Sequence, residues 1–168
     1  MATWADFAAA EPDLAAAIHK LVCQYGPGLA YLATVRPDGG PRIHPVSPVI
    51  TPAGLFCFVL PSPKRHDLDR DGRYCLHSFP PEDSDDEAYL SGHATPVSDL
   101  ELMSTLATTM RAAPRVDWRL YELSVDVALL VHHDTPTTAT HTVWKPKTRL
   151  PPKPRQNGPC TKPVDSVQ

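Results

Sequence analysis

The sequence lacks the features that would tie it to a membrane, a nucleic acid or the secretory route. No apolar run in the 168 residues approaches the ~20 that a membrane-spanning helix needs. The net charge is only -3, which gives no general attraction to nucleic acid or anionic lipid. The N-terminal segment lacks the basic region and apolar core of a secretory signal. We therefore predict neither a nucleic-acid nor a membrane partner.

Cysteine is scarce, and its spacing excludes the usual structural uses. The four cysteines, Cys23, Cys57, Cys75 and Cys160, form no Cys-x-x-Cys pair. This pattern favours reduced thiols over a disulfide framework, and we expect a cytoplasmic location. His132 and His133 are adjacent and would face opposite sides of a strand, and the acidic run EDSDDE lacks the glycine and spacing of a calcium loop. We predict no metal site.

Proline, in contrast, is abundant, with 20 residues in 168 against an average of ~5%. Six of these prolines lie between residues 146 and 163, in a segment with almost no apolar periodicity. Such a composition predicts a disordered tail over residues 147–168 that folding does not require. A single folded domain is expected over residues 1–146.

Apolar periodicity predicts a mainly β domain with helices around the sheet. Residues 11–26 are expected to form a helix with Pro12 in its first turn, and residues 99–113 a second helix capped by Asp99. Strand patterns cover residues 29–35, 42–50, 53–60, 73–79, 88–97, 119–133 and 140–146. The short turns between most of these runs favour an antiparallel barrel or sandwich over a parallel sheet.

The segment YLATVRPDGGPRIHPVSPVI, residues 31–50, combines a hairpin with an unusual strand. Its second half carries three prolines, which donate no N–H to a sheet and are normally kept off central strands. Alternation along that strand places four residues on one face: Arg42, His44, Val46 and Pro48. Two interpretations follow. The prolines protect an edge strand whose Arg42 and His44 face solvent, or a flat heterocycle binds against backbone groups that the prolines leave unpaired.

The segment LPSPKRHDL, residues 60–68, predicts a short helix over residues 62–72 with an unusual first turn. Ser62 suits the capping position, and Lys64 and Arg65 follow at once. Cations there are locally unfavourable, because a helix N-terminus is already partly positive. A bound phosphate reverses the argument, since it collects free N–H groups, a hydroxyl and cations together. The alternative is a solvated basic loop capped by Ser62.

Taken in order, these segments resemble the pyridoxamine 5′-phosphate oxidase-like family of FMN-binding split barrels. The family's hairpin motif T-V-x-x-D-G-x-P is matched by Thr34, Val35, Asp38, Gly39 and Pro41. Its following Pro-Val strand is matched by Pro45 and Val46, and its S-x-K-x-x-x-L turn by Ser62, Lys64 and Leu68. The resemblance extends over about residues 28–96.

The resemblance implies a six-stranded antiparallel split β-barrel that forms a homodimer, with FMN bound across the subunit interface. Arg42 and His44 would flank the ring and ribityl chain, and Ser62, Lys64 and Arg65 would hold the phosphate. Trp144 and Lys145 would approach the flavin of the partner subunit, although an ordinary core aromatic is the alternative for Trp144. The full implied set of cofactor-binding residues is Arg42, His44, Pro45, Val46, Ser62, Lys64, Arg65 and Trp144.

The implied function is that of an FMN-dependent oxidoreductase with a small-molecule substrate that the sequence does not identify. The alternatives are an F420-dependent reductase of the same fold and a non-catalytic flavin- or haem-binding protein. No catalytic residue is assigned. The sequence departs from genuine pyridoxamine phosphate oxidases, because it has no W-x-G segment, and we interpret TRLPP at residues 148–152 as a chance match to their R-L-x-P motif.

Overall fold

The computed structural model describes residues 1–109, 116–135 and 137–147. The helices are α1 (Trp4–Ala10), α2 (Pro12–Val22), α3 (Pro63–Arg70) and α4 (Leu100–Thr109). The strands are β1 (Ala30–Val35), β2 (Pro41–Val46), β3 (Pro48–Thr51), β4 (Gly54–Val59), β5 (Arg73–Ser78), β6 (Glu87–Pro96), β7 (Arg119–Leu123), β8 (Val127–Thr135) and β9 (Thr138–Trp144). The predicted mainly β class is confirmed. Apart from Lys147, the predicted tail over residues 147–168 lies outside the described residues.

All strand pairs are antiparallel, and they form one curled sheet. The strands follow the order β2-β1-β5-β6-β7-β4-β3, with β8 pairing β6 and β9 pairing β8. The two ends of this order, β2 and β3, are neighbours in the chain and are joined through Ser47. Chain connectivity therefore brings the two edges of the sheet together, as in a barrel.

The strand predicted over residues 42–50 is wrong as a single element, because it breaks at Ser47. Its first part, β2, pairs β1, and its second part, β3, pairs β4. The strand predicted over residues 119–133 divides in the same way, into β7 against β4 and β6 and β8 against β6 and β9. The seven predicted strands therefore correspond to nine observed strands, because each of the two divided segments pairs with two different parts of the sheet.

The prolines of β2 interrupt no part of the ladder with β1. The hairpin closes with the Arg36 N–H donating to the Gly40 carbonyl at 2.8 Å. Because hydrogen-bonded pairs alternate along an antiparallel ladder, Pro41, Ile43 and Pro45 direct their backbone groups to the open edge. Of these three residues only Ile43 offers an N–H there. The predicted edge position of the prolines is confirmed and the expected gap in the ladder is absent, but Arg42 and His44 do not face solvent as that interpretation expected.

The long strand β6 is where the sheet divides. Its first half pairs β8 and its second half pairs β7, while β5 runs along its other side. The Ser124 carbonyl crosses so close to Gly92 that a Cβ added at Gly92 would lie 1.9 Å from that oxygen. This close backbone approach gives the reason for glycine at this position.

Helices α1, α2 and α3 pack into the main core on the inner face of the sheet, whereas α4 packs through Leu106 against the opposite face of β4 and β7. Helix α2 begins at Pro12 as predicted and buries Leu14, Ile18 and Val22, but it ends at Val22 rather than near Gly26. Helix α1 was not predicted, although Thr3 and Asp6 form a capping box at its start. Asp99 caps α4 through its side chain, as expected. No helix in the described part of the chain is long and apolar enough to cross a membrane.

Candidate functional site

Helix α3 bridges two parts of the curled sheet. Charged side chains join it to β1 and β2 on one side and to the start of β7 on the other. Asp67 and Arg70 face β1 and β2, and Arg65 and Asp69 face the start of β7. Leu68 is buried in the main core and fixes the helix between them. Residues 60–72 therefore place the first turn of α3 next to the inner face of β2, as the resemblance requires.

The contact between α3 and β2 is a buried ion pair. The Arg42 Nε atom donates to Asp67 Oδ2 at 2.7 Å, and the Asp67 side chain is only 3% exposed. The Thr34 hydroxyl donates to the same oxygen at 3.0 Å. Burial by itself would raise the pKa of Asp67, but the bonds from Arg42 and Thr34 and the charges of Arg42 and Arg70 outweigh it and lower the pKa. Asp67 is therefore a stable carboxylate inside the fold.

One of the predicted phosphate-binding residues, Arg65, is already paired in the contact between α3 and the start of β7. The Arg65 Nη1 atom donates to Asp117 Oδ2 at 2.9 Å, and the Arg65 side chain is only 12% exposed. Asp69 accepts from Arg119 and from the Tyr121 hydroxyl, each at 2.5 Å. Arg65 is therefore already neutralised within the chain and is a weaker candidate for a phosphate than the sequence suggested.

Lys64, in contrast, has no such partner. Among the described residues its ammonium group forms neither an ion pair nor a hydrogen bond. Its backbone N–H, in the first turn of α3, likewise has no acceptor in the described part of the chain. Ser62 occupies the capping position, but its hydroxyl donates to the Leu60 carbonyl at 2.8 Å instead of capping the helix. The prediction that Ser62 caps α3 through its side chain is wrong.

His44 faces the same place from β2. Its Nε2 atom is buried and has no hydrogen-bond partner among the described residues. Burial lowers the pKa of His44, and the nearby charges of Lys64 and Arg42 lower it further, against a weaker opposing effect of Asp67. His44 is therefore a neutral imidazole beside two cations, with an unused ring nitrogen.

The predicted alternation of side chains along β2 is confirmed. It divides the remaining candidate site residues of this strand between the two faces of the sheet. Arg42, His44 and Val46 face inward, whereas Ile43 and Pro45 are exposed on the other face. The Val46 side chain belongs to the main core, which leaves its backbone for any ligand contact.

Trp144 is not brought to His44 within one chain. Strand register joins the two through an inward-facing row that runs His44, Leu32, Leu76, Leu90, Ala128 and Trp144. Five strand spacings at about 4.8 Å put them roughly 24 Å apart along the sheet. The Trp144 ring lies 4.9 Å from the Phe7 ring and packs against the main core. The proposed contact with a partner's cofactor stays a prediction.

Asp67 is the residue of this cluster that sequence reasoning missed. The only sequence pattern that points to Asp67 is its position three residues after Lys64, which places both side chains on one face of the helix. Of the residues that the sequence did select, Lys64 and Arg42 both lie close enough to His44 for their charges to lower its pKa.

Cavities elsewhere on the chain do not involve these residues. One, of about 520 Å³, lies between α2, the loop at residues 81–86 and β8. Two others, of about 340 and 320 Å³, lie beside α1 and beside the β1–β2 hairpin. None of these three cavities includes Arg42, His44 or Lys64. Within the described residues, no group of three or more His, Cys, Asp or Glu side chains is placed to share a metal ion.

Solved structures share this architecture, whereas no protein-family model and no curated protein matches the sequence. A protein related to general stress protein 26, of the pyridoxinephosphate oxidase family, from Clostridium acetobutylicum aligns with a TM-score of 0.61 and 14% identity over 80% of this chain and 95% of that one. PhzG from Burkholderia lata, in complex with tetrahydrophenazine-1-carboxylic acid, aligns with a TM-score of 0.53 and 16% identity over 83% and 92%.

The chain has the pyridoxamine 5′-phosphate oxidase-like split-barrel fold. A haem-binding protein from Mycobacterium smegmatis has the same architecture, with a TM-score of 0.57 and 18% identity over 76% of this chain. This chain spans 57% of that protein's length. The split-barrel fold expected from the motifs is confirmed, and at these identities the likeness concerns the fold alone.

Proposed function

We propose that this split barrel binds a phosphorylated flavin, FMN, and serves as an oxidoreductase for a small molecule. The observation that supports this most directly is the convergence of three groups on one surface. These are the Lys64 ammonium, the outer edge of the Arg42 guanidinium and the buried Nε2 atom of His44. Together they offer the Lys64 ammonium and the His44 Nε2 atom, which have no partner among the described residues, and an Arg42 guanidinium that is bonded to Asp67 through Nε alone.

The phosphate group fits between Lys64 and Arg42. Both cations lie close enough to His44 to lower its pKa, and of the two only Arg42 is paired with a carboxylate, that of Asp67. The free N–H of Lys64 adds the donor that a helix N-terminus supplies to phosphates. Arg65 contributes less than the resemblance implies, because Asp117 already pairs with it. Arg42 accordingly belongs to the phosphate end of the site in this proposal.

His44 suits the polar edge of the ring or the ribityl chain. A neutral imidazole offers one donor and one acceptor, and its buried Nε2 atom costs free energy for as long as it lacks a partner. Bound flavin supplies hydride-transfer chemistry, and the protein has to hold and orient it and to exclude water. No acid or base is assigned to His44, since nothing in its surroundings requires proton transfer.

A second copy of the chain is proposed to bind the outward face of the sheet, opposite to the face that carries Arg42 and His44. The outward face of the sheet carries a row that runs Pro45, Tyr31, His77, Tyr89, Leu129 and Val143. Tyr31, Val143 and the nearby Ile43 are 38%, 54% and 64% exposed. Exposed apolar side chains that continue across a sheet are typical of an interaction surface, and two-fold pairs are the commonest assemblies.

Two related proposals compete with FMN oxidoreduction. F420 also carries a phosphate and a tricyclic ring, so the same groups accommodate it. A haem-binding protein without turnover is supported by His44, because a neutral imidazole with an unpartnered nitrogen is a common ligand for iron. Titrating the protein with FMN, F420 and haem side by side separates these three proposals.

The sharpest test of the phosphate site is the substitution Lys64→Ala. Losing one charge-assisted contact is expected to cost about 1.5–3 kcal/mol, or roughly 10- to 150-fold in FMN affinity. Riboflavin, which has the ring and no phosphate, should bind equally well to both proteins. Lys20→Ala is the matched control, since Lys20 lies on α2 and the substitution changes the net charge equally. An unchanged FMN affinity in Lys64→Ala would show that the turn is a solvated loop.

A further inference from the structure

Asp67 is the buried carboxylate at the centre of the cluster, and no ligand contact has been assigned to it above. We propose that Asp67 is a positioning residue for the cofactor site, which holds Arg42 by one edge so that its other edge faces the cofactor phosphate. This inference rests on the proposed function and adds to it the residue that orients the anion-binding group.

The hydrogen bonds of Arg42 are divided between its two edges. The Nε atom is committed to Asp67 at 2.7 Å. Within the described residues, Nη1 and Nη2 have no hydrogen-bond partner. The two terminal nitrogens form the fork that binds an oxyanion in a bidentate manner. Fixing Nε therefore leaves the fork free and removes much of the rotational freedom that binding would otherwise have to restrict.

The Asp67 carboxylate is itself held on more than one side. Thr34 donates to Oδ2, and Arg70 lies 3.7 Å from Oδ1. Thr34 is on β1 and Arg70 is on α3, so Asp67 is fixed relative to both elements. The Arg42 side chain keeps 28% of its surface exposed although its partner is almost fully buried. A preorganised anion site needs a rigid, buried carboxylate that holds an accessible guanidinium in place.

Asp69 provides an internal comparison on the same helix. It also forms charged contacts that dock α3, but with Arg119 and Tyr121 on the β7 side. Neutralising Asp69 should loosen α3 without altering Arg42, whereas neutralising Asp67 should alter both. General electrostatics predict the opposite sign for Asp67, because removing a negative charge near the site should tighten anion binding. The sign of the change in anion affinity on neutralising Asp67 therefore distinguishes a positioning role from a purely electrostatic one.

The test compares Asp67→Asn and Asp69→Asn with the wild type by titration with FMN and with riboflavin. We expect Asp67→Asn to weaken FMN binding about tenfold, the loss of one charge-assisted hydrogen bond, while riboflavin affinity changes less than about twofold. Asp69→Asn should leave the ratio of the two affinities unchanged. Independently of any ligand, NMR should show a slowly exchanging Arg42 Nε–H in the wild type and a faster one in Asp67→Asn.

Three results would overturn the proposal. These are tighter FMN binding in Asp67→Asn, a parallel loss of FMN and riboflavin affinity in both variants, and an Arg42 Nε–H that exchanges equally fast in wild type and variant. Failure of the wild type to bind FMN or F420 would instead refute the proposed function itself. If Asp67→Asn does not fold, Arg42→Lys replaces it. A lysine reaches either Asp67 or the phosphate, so the same selective loss for FMN is expected, and an unchanged FMN affinity would refute the proposal.

Discussion

Three residues, Arg42 and His44 on β2 and Lys64 on α3, carry the proposed chemistry, and local sequence pattern could identify all of them. The alternation along β2 and the order of residues in the first turn of α3 depend only on neighbouring residues, so the sequence alone predicts them. Pairing is not a local property. Whether Arg65 or Lys64 remains free depends on Asp117, which is 52 residues away, and the role of Asp67 depends on Arg42, 25 residues away. Those distinctions need the fold.

His44 should titrate abnormally. Its folded-state pKa is lowered, by burial first and by Lys64 and Arg42 next, so the unfolded chain binds the proton more readily. The stability that neutral His44 contributes is therefore fully present above the unfolded-state pKa of ~6.5. It is lost as the pH falls from there towards the folded-state pKa.

NMR titration of the His44 ring in the folded and the urea-unfolded protein measures the shift directly. Lys64→Ala should move the folded-state pKa up, because it removes one of the two repelling charges. A folded-state pKa equal to the unfolded one, or one that Lys64→Ala does not change, would contradict the described surroundings of His44.

Sequence pattern located the strands well and their breaks poorly. Period-two alternation runs straight through Ser47 and through residues 124–126, because residues on both sides of each break remain half-buried in the sheet. What divides them is the pairing partner, which is set by the curl of the whole sheet. The missed helix α1 is short, and its capping box was its main signal.

Gly92→Ala tests the division of the sheet at β6. The added Cβ would lie 1.9 Å from the Ser124 carbonyl oxygen and 2.8 Å from its carbon, both backbone atoms that cannot rotate away. We expect a loss of about 1–3 kcal/mol in the free energy of unfolding, as for overpacked cores, measured by urea denaturation. Gly40→Ala is the control, because the atoms nearest to its Cβ would belong to the flexible side chains of Asp38, at 3.2 Å, and Arg36, at 4.0 Å. Equal stability of Gly92→Ala and wild type would show that β7 and β8 diverge for another reason.

At the scale of the whole molecule, the proposed site and the proposed dimer surface lie on opposite faces of one sheet. His44 lies at one end of an inward-facing row of the sheet, and Trp144 lies at the other end. The apolar outward face gives a second copy a surface to bind. The sequence motifs suggested this assembly, but composition and periodicity alone could not, since they do not reveal which apolar side chains remain uncovered after folding.

Sedimentation velocity of the protein mixed with FMN, followed by the visible absorbance of the flavin, tests cofactor and assembly in one experiment. The proposals predict that flavin absorbance moves with a species of twice the chain mass of 18.4 kDa, and that Lys64→Ala releases the flavin while leaving that species intact. Flavin that stays unsedimented with the wild-type protein, or that moves with a single chain, would contradict the central claim.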